Sequence, residues 1–133
     1  MKKILFLSLL MFSMVVFGQD PISNLNDEAK YKIELNEKNI KSEKQEIEKH
    51  QKNLSVFQDE NSKLKKILKT TPKLALNNET KDNAINDLKS KILINDDYIK
   101  NEKQEIVKHQ KTLSDLQKEN SNLKKAVKQI KKL

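Results

Sequence analysis

Between Ile85 and Ile130 the same side of a helical wheel is revisited every seventh residue, through seven unbroken heptads. A stripe spaced at about 3.5 residues must be laid against a second helix to leave water, which constrains the fold more than any other feature. Position a falls on Ile85, Ile92, Ile99, Ile106, Leu113, Asn120 and Val127, and position d on Leu88, Asn95, Glu102, His109, Leu116, Leu123 and Ile130. An earlier stretch follows the same rule, with a at Ile33, Ile40, Ile47, Leu54, Asn61 and Leu68. Its d positions are Asn36, Glu43, His50, Phe57 and Leu64. Composition closes off other folds. The chain has one Gly, two Pro, no Cys and no Trp, and its 27 basic residues are all lysine. A turn-rich β architecture lacks its turn residues and aromatics, and disulfides, thiolate metal sites and cysteine nucleophiles are excluded. The fold class is therefore all-α, two long helices forming a coiled-coil helical hairpin, with an elongated parallel coiled-coil dimer as the alternative.

The two heptad stretches are copies. Residues 43–69 read EKQEIEKHQKNLSVFQDENSKLKKILK and residues 102–128 read EKQEIVKHQKTLSDLQKENSNLKKAVK, 19 identities in 27 positions at an offset of 59. The identities include solvent-type residues such as Lys44, Gln45, Gln51 and Lys52. Recent duplication accounts for every one of them; a binding face common to both copies is the alternative.

Between the copies, Pro72 ends the first helix, because its ring removes a backbone donor and restricts Thr71 to extended conformations. Asn77 or Asn78 caps the second, with Glu79 complementing the helix dipole in its first turn. Upstream, Ser23 or Asn24 caps the first helix, with Asp27 and Glu28 just inside. The resulting division is 19–70 for the first coiled-coil helix, 71–78 for the loop and 79–133 for the second helix. The regular helices are expected near 24–70 and 79–132, about 70 and 80 Å long at 1.5 Å per residue.

Residues 1–18 read as a secretory signal peptide. Lys2 and Lys3 precede an apolar run from Ile4 to Phe17, and Gly18 stands at the exit, with Gly18–Gln19 the expected cleavage bond. The run, 14 residues interrupted only by Ser8 and Ser13, is short of the 20 or so that span a bilayer, so cleavage is preferred to retention as an inner-membrane anchor. The style is that of a Gram-negative export signal, and the expected destination is the periplasm or the outside of the cell. Without residues 1–18 the apolar share falls from 35% to about 30% and the net charge from +8 to about +6. That is too little apolar material for a globular core, but enough for one stripe on each of two helices.

The seam residues expected to pack are Ile40, Ile47, Leu54, Asn61, Leu64 and Leu68 in the first copy. In the second they are Ile92, Ile99, Ile106, Leu113, Leu116, Asn120, Leu123, Val127 and Ile130. An a-position Asn in each copy fixes register and partner number. Glu60 with Lys65, and Glu119 with Lys124, supply the g-to-e attraction of a parallel dimer. The polar d residues favour the hairpin instead, because a parallel homodimer sets Glu102 against its twin. In a hairpin whose facing numbers total 149, His50 meets Ile99, Glu43 meets Ile106, Glu102 meets Ile47 and His109 meets Ile40. Asn61 then meets Leu88 and Asn95 meets Leu54, and the polar members snorkel outward.

Candidate chemistry is sparse. Glu46 with His50, and Glu105 with His109, are i, i+4 pairs that share a helix face and could ligate zinc or respond to pH. Each copy has one histidine, so a metal site is expected to need two or more chains, and an ordinary helical pair is preferred. No cofactor, metal or catalytic residue is assigned, no water-excluding cleft is expected between two thin helices, and no enzyme is predicted. A lysine-rich surface at Lys65, Lys66 and Lys69, and at Lys124, Lys125, Lys128, Lys131 and Lys132, is the candidate anion-binding feature. Its expected targets are anionic envelope polymers or lipid, with nucleic acid disfavoured by the export signal, the missing arginine and the interspersed Glu.

The expected function is that of an exported structural or interaction protein that oligomerises, pairs with other coiled-coil proteins or bridges envelope components. A short, exported, basic chain with helical coiled-coil arms also resembles the Skp/OmpH family in outline. That resemblance implies a periplasmic holdase chaperone. The family also carries a small β-rich trimerisation body, for which no strand segment is read here. Binding of anionic envelope surfaces through the lysine-rich helix ends is the third reading.

Overall fold

The computed structural model describes residues 20–133, and the expected export signal, residues 1–18, lies outside them. Two long helices, α1 (Pro21–Thr70) and α2 (Asn78–Ile130), pack against each other as an all-α helical hairpin. A 3-10 turn, Thr71–Lys73, follows α1 directly. Among the described residues no helix is long and apolar enough to cross a membrane.

The helix ends follow from local chemistry, with two departures from the sequence expectation. The α1 cap is Asp20, whose Oδ1 accepts from the Ile22 N–H at 3.2 Å and whose carbonyl accepts from the Asn24 N–H at 3.1 Å. Ser23 and Asn24 lie inside the helix. Asp20-Pro21 is the stronger start signal, because proline at the first helical position loses only a donor that had no partner anyway. Asp27 and Glu28 consequently fall in the second turn. At the other end, Pro72 does not drive Thr71 into extended backbone. Thr71 and Pro72 continue as the 3-10 turn, and the chain becomes extended only at Leu74, with φ −73° and ψ 143°. Proline fits there because the first residues of a turn need no internal donor. Thr71, only 3% exposed, donates through Oγ1 to the Ile67 carbonyl at 2.8 Å, satisfying one of the last α1 carbonyls.

Of the two asparagines available at the start of α2, Asn77 is the cap. Its Oδ1 accepts from the Thr80 N–H at 2.8 Å. Asn77→Ala is expected to lower the unfolding free energy by about 1 kcal/mol, measured by urea denaturation. Asn78→Ala, one position inside, is expected to leave it nearly unchanged.

Packing divides the chain into two units, one formed by residues up to Ser42 together with Leu113–Leu133, the other by Glu43–Thr112. Each is a pair of antiparallel helical segments closed by the heptad stripe. In the first, Ala29, Asn36, Asn120 and Leu123 are buried; in the second, Asn61, Leu88, Ile92, Asn95 and Ile106. Every seam residue named from the heptads is buried or half-buried.

The pairing register differs from the expected one. Within Glu43–Thr112, partner numbers add to 152 for His50–Glu102 and His109–Glu43, 155 for Phe57–Tyr98 and 157 for Asn61–Asp96. In the other unit Glu37–Lys124 adds to 161. Facing a and d layers can total only 149, 156 or 163, since a slip must be a whole heptad to keep the stripe inside. The observed pairs bracket 156. The register expected from the loop midpoint, 149, is one heptad short. His50 and Glu43 pair with Glu102 and His109, respectively.

The reason lies in what each register does with the polar layers. At 149 every polar seam residue faces an aliphatic one and must reach outward for water. Near 156 Glu43 and Glu102 reach the two histidines and Asn61 reaches Asp96. Buried polar groups are far better satisfied by one another than by leucine. The parallel-dimer ion pairs are displaced as well. Lys124 Nζ reaches Glu37 Oε1 at 3.0 Å instead of a Glu119 on another chain. That pair is more than half exposed and contributes little stability.

Candidate functional site

The densest polar cluster lies within Glu43–Thr112 and is built by the duplication. Glu43, Glu46 and His50 project from α1, and their counterparts 59 residues later, Glu102, Glu105 and His109, project from α2. An antiparallel pair with facing numbers near 156 sets these two sets across from each other, about a local two-fold axis that relates position 48–49 to 107–108. The contacts obey that symmetry. His50 Nδ1 lies 2.5 Å from Glu102 Oε2, and His109 Nδ1 lies 2.5 Å from Glu43 Oε2. His50 Nε2 lies 3.8 Å from Glu46 Oε2, and His109 Nε2 lies 3.7 Å from Glu105 Oε2. The two rings stack at the axis with centroids 5.5 Å apart and planes 23° from parallel.

The cluster is graded from inside to outside. The histidines and their cross-helix carboxylates are mostly shielded, with side-chain exposures of 16–21%, whereas Glu46 and Glu105 are at 40% and 42%. Asn53 Nδ2 donates to Glu102 Oε1 at 3.3 Å, giving that carboxylate a second donor. On the rim, Lys49 Nζ donates to Glu46 Oε2 at 3.2 Å and Lys108 Nζ to Glu105 Oε2 at 3.3 Å. The hydrogen bond from Lys49, and then its charge, hold the Glu46 carboxyl below the usual carboxylate range.

One sequence expectation changes here. The single histidine in each copy does not require a second chain, because the fold brings both histidines of one chain together with Glu46, their ligand-type atoms lying within 4.8 Å of one another. Glu43 and Glu102 were read from the heptads only as awkward seam residues, and their pairing with the histidines was missed. A signal was present. A sequence duplicated once and folded antiparallel on itself must set its copies about a two-fold axis, and the conserved-in-both-copies EKQEI-x-KH segment lies at that axis.

The two asparagine layers are the other polar feature. Asn61 and Asn95 are 3% and 7% exposed, Asn36 and Asn120 7% and 5%. Asn61 Nδ2 donates to Asp96 Oδ1 at 2.6 Å. Within each layer one spare acceptor and one spare donor remain: Asn61 Oδ1 with Asn95 Nδ2, and Asn120 Oδ1 with Asn36 Nδ2. These are the complementary halves of an Asn–Asn side-chain bond.

The eight lysines of the candidate anion surface are all exposed. Lys65, Lys66 and Lys69 belong to the Glu43–Thr112 unit, and Lys124, Lys125, Lys128, Lys131 and Lys132 to the other. Lys124 is engaged by Glu37. The heptads also leave apolar side chains outside the seam. Leu93, Ile94 and Val107 on α2 are 66%, 53% and 64% exposed, and Val56 on α1 is 61% exposed. Leu93 and Val107 share one heptad position two heptads apart, with Lys100 between them. Ile99, Lys103 and Val107 line a shallow, open depression along the same side of α2.

No protein-family model, no curated protein and no solved structure matches this chain.

Proposed function

We propose that the protein is an interaction protein, a helical hairpin that associates with a second copy of itself and, through it, with other components of the bacterial envelope to which it is exported. The observation that carries this reading is the off-seam apolar stripe of α2. Leu93 and Val107 stay in water after the hairpin has closed, although the seam between α1 and α2 already takes the heptad apolar residues. Scattered single apolar side chains are ordinary on a protein surface. Two at the same heptad position, with Val107 at the edge of a shallow depression that Ile99, Lys100 and Lys103 also line, match the anatomy of a small helix-packing face with a polar rim. No catalytic role is assigned.

Sedimentation equilibrium of the chain lacking residues 1–18 tests this across a hundredfold concentration range. Reversible dimerisation is expected, and Leu93→Lys with Val107→Lys is expected to weaken it at least tenfold while leaving helix content unchanged. A chain that stays monomeric throughout the range, or a dimer indifferent to both substitutions, removes the reading. The holdase alternative would draw on the same exposed side chains but predicts capture of an unfolded outer-membrane protein in place of self-association.

A further inference from the structure

We propose that Glu46, His50 and His109, completed by Glu105, form a binding site for one divalent metal ion of the zinc class, clamping α1 to α2 at their local two-fold axis. The arrangement of the histidines is the first ground. Each Nδ1 lies against a cross-helix carboxylate, His50 on Glu102 and His109 on Glu43. A carboxylate has only acceptors, so Nδ1 is the nitrogen that donates there, which leaves Nε2 as each ring's ligand atom. Both Nε2 atoms point to the side where Glu46 and Glu105 lie, at 3.8 and 3.7 Å. Histidines that ligate metals are oriented in this way, with the second nitrogen donating to a carboxylate.

Spacing is the second ground. Zinc bonds to nitrogen and oxygen of 2.0–2.2 Å in a tetrahedron require ligand atoms about 3.3 Å apart. The Glu46, His50 and His109 donor atoms are already within 4.8 Å of each other, and the nearest ligand-type pairs are within about half an ångström of that edge length. Glu46 and Glu105 sit on the rim, where their side chains can swing inward. Two imidazoles with two carboxylates suit zinc, whereas calcium and magnesium prefer all-oxygen cages. Lys49 and Lys108 now neutralise Glu46 and Glu105 through exposed contacts, and a dication would displace both ammoniums at little loss.

The third ground is the symmetry itself. The six residues are identical between the copies, and each copy supplies half of a ligand set that is complete only in the folded hairpin. Such a site binds the hairpin and not the unfolded chain, so metal binding stabilises the fold.

Titrating the full chain with zinc chloride, in the calorimeter and by thermal unfolding, tests the proposal. One zinc per chain is expected. With zinc at roughly 100 times its Kd, the Tm should rise by at least about 5 °C, and EDTA should reverse the rise. Glu46→Gln lies on the exposed rim and should keep the fold while lowering zinc affinity at least tenfold. His50→Gln and His109→Gln should each abolish the Tm shift. Glu102→Gln, which loosens His50 without removing a ligand, should lower affinity by about 10- to 100-fold. Cobalt(II) in place of zinc should give the intense visible absorption of a tetrahedral site. An absent Tm shift overturns the proposal, as does a shift that survives in both histidine variants. A ratio of one zinc per two chains, or a weak octahedral cobalt spectrum, overturns the intrachain four-ligand site.

Discussion

Ile106→Ala is expected to lower the unfolding free energy by about 2–3 kcal/mol, whereas Val107→Ala, the next residue along the same helix, should change it by less than about 0.5 kcal/mol. Ile106 is 9% exposed at an a position, and Val107 is 64% exposed at b. Both truncations cut a β-branched aliphatic side chain back to Cβ and differ by one methylene, about 0.8 kcal/mol when buried, so most of the difference reflects burial. The expected loss sits toward the lower end of the range for buried isoleucine. A two-helix seam has water close on both sides, and the remaining side chains can settle partly into the space. Alanine's high helix propensity slightly favours both variants. Against a total stability of about 5–15 kcal/mol for a domain, the Ile106 loss is large. Urea denaturation followed by circular dichroism at one fixed protein concentration measures it, because self-association would otherwise add to apparent stability. Equal losses at the two positions would mean that the heptad stripe is not where this protein keeps its core.

The architecture was legible because the heptads state it twice. Repeated Ile and Leu at a, almost no glycine, and one proline between two long runs admit little except two helices and a turn. The ends were less legible, since Asp20-Pro21 sits beside the expected Gly18–Gln19 cleavage bond, and Ser23 and Asn24 offer the same capping chemistry a few residues on. The register was misread for a sharper reason. Any slip by a whole heptad keeps Ile and Leu inside, so hydrophobic pattern alone cannot separate a total of 149 from one of 156. A loop centred between Leu74 and Ala75 implies 149, but the loop midpoint is a weak arbiter, because a loop need not be symmetric. Here a 3-10 turn over Thr71–Lys73 takes up its first part. The polar layers decide the register, and with it the site. His50 and His109 were recognised as unusual d residues, but their partners depend on register, and a one-heptad error separated each histidine from its glutamate.

That dependence can be tested by removing the polar layers in turn. Asn61→Leu with Asn95→Leu replaces a buried amide layer, which retains one spare donor and one spare acceptor, by an apolar one. Stability is expected to rise by about 2 kcal/mol, because the desolvated amides give way to packed side chains. Register should nevertheless hold, since a slip to 149 would still break both the Glu43–His109 and Glu102–His50 contacts. Adding Glu43→Leu and Glu102→Leu removes those contacts and leaves two registers of comparable apolar burial. The chain has no cysteine, so paired cysteines report register without interference. Phe57→Cys with Ile99→Cys crosslinks at a total of 156, and Phe57→Cys with Ile92→Cys at 149. The natural background and the Asn-to-Leu background should oxidise efficiently only with the first pair. The four-leucine background should oxidise with both, its extra stability coming with loss of a single structure, as expected when buried polar residues set register at the expense of stability. Efficient closure of both pairs in the natural background would show that the Glu–His contacts do not hold the hairpin in one register. Closure of the first pair alone in the four-leucine background would show that neither the Asn61–Asn95 layer nor the Glu–His contacts set the register.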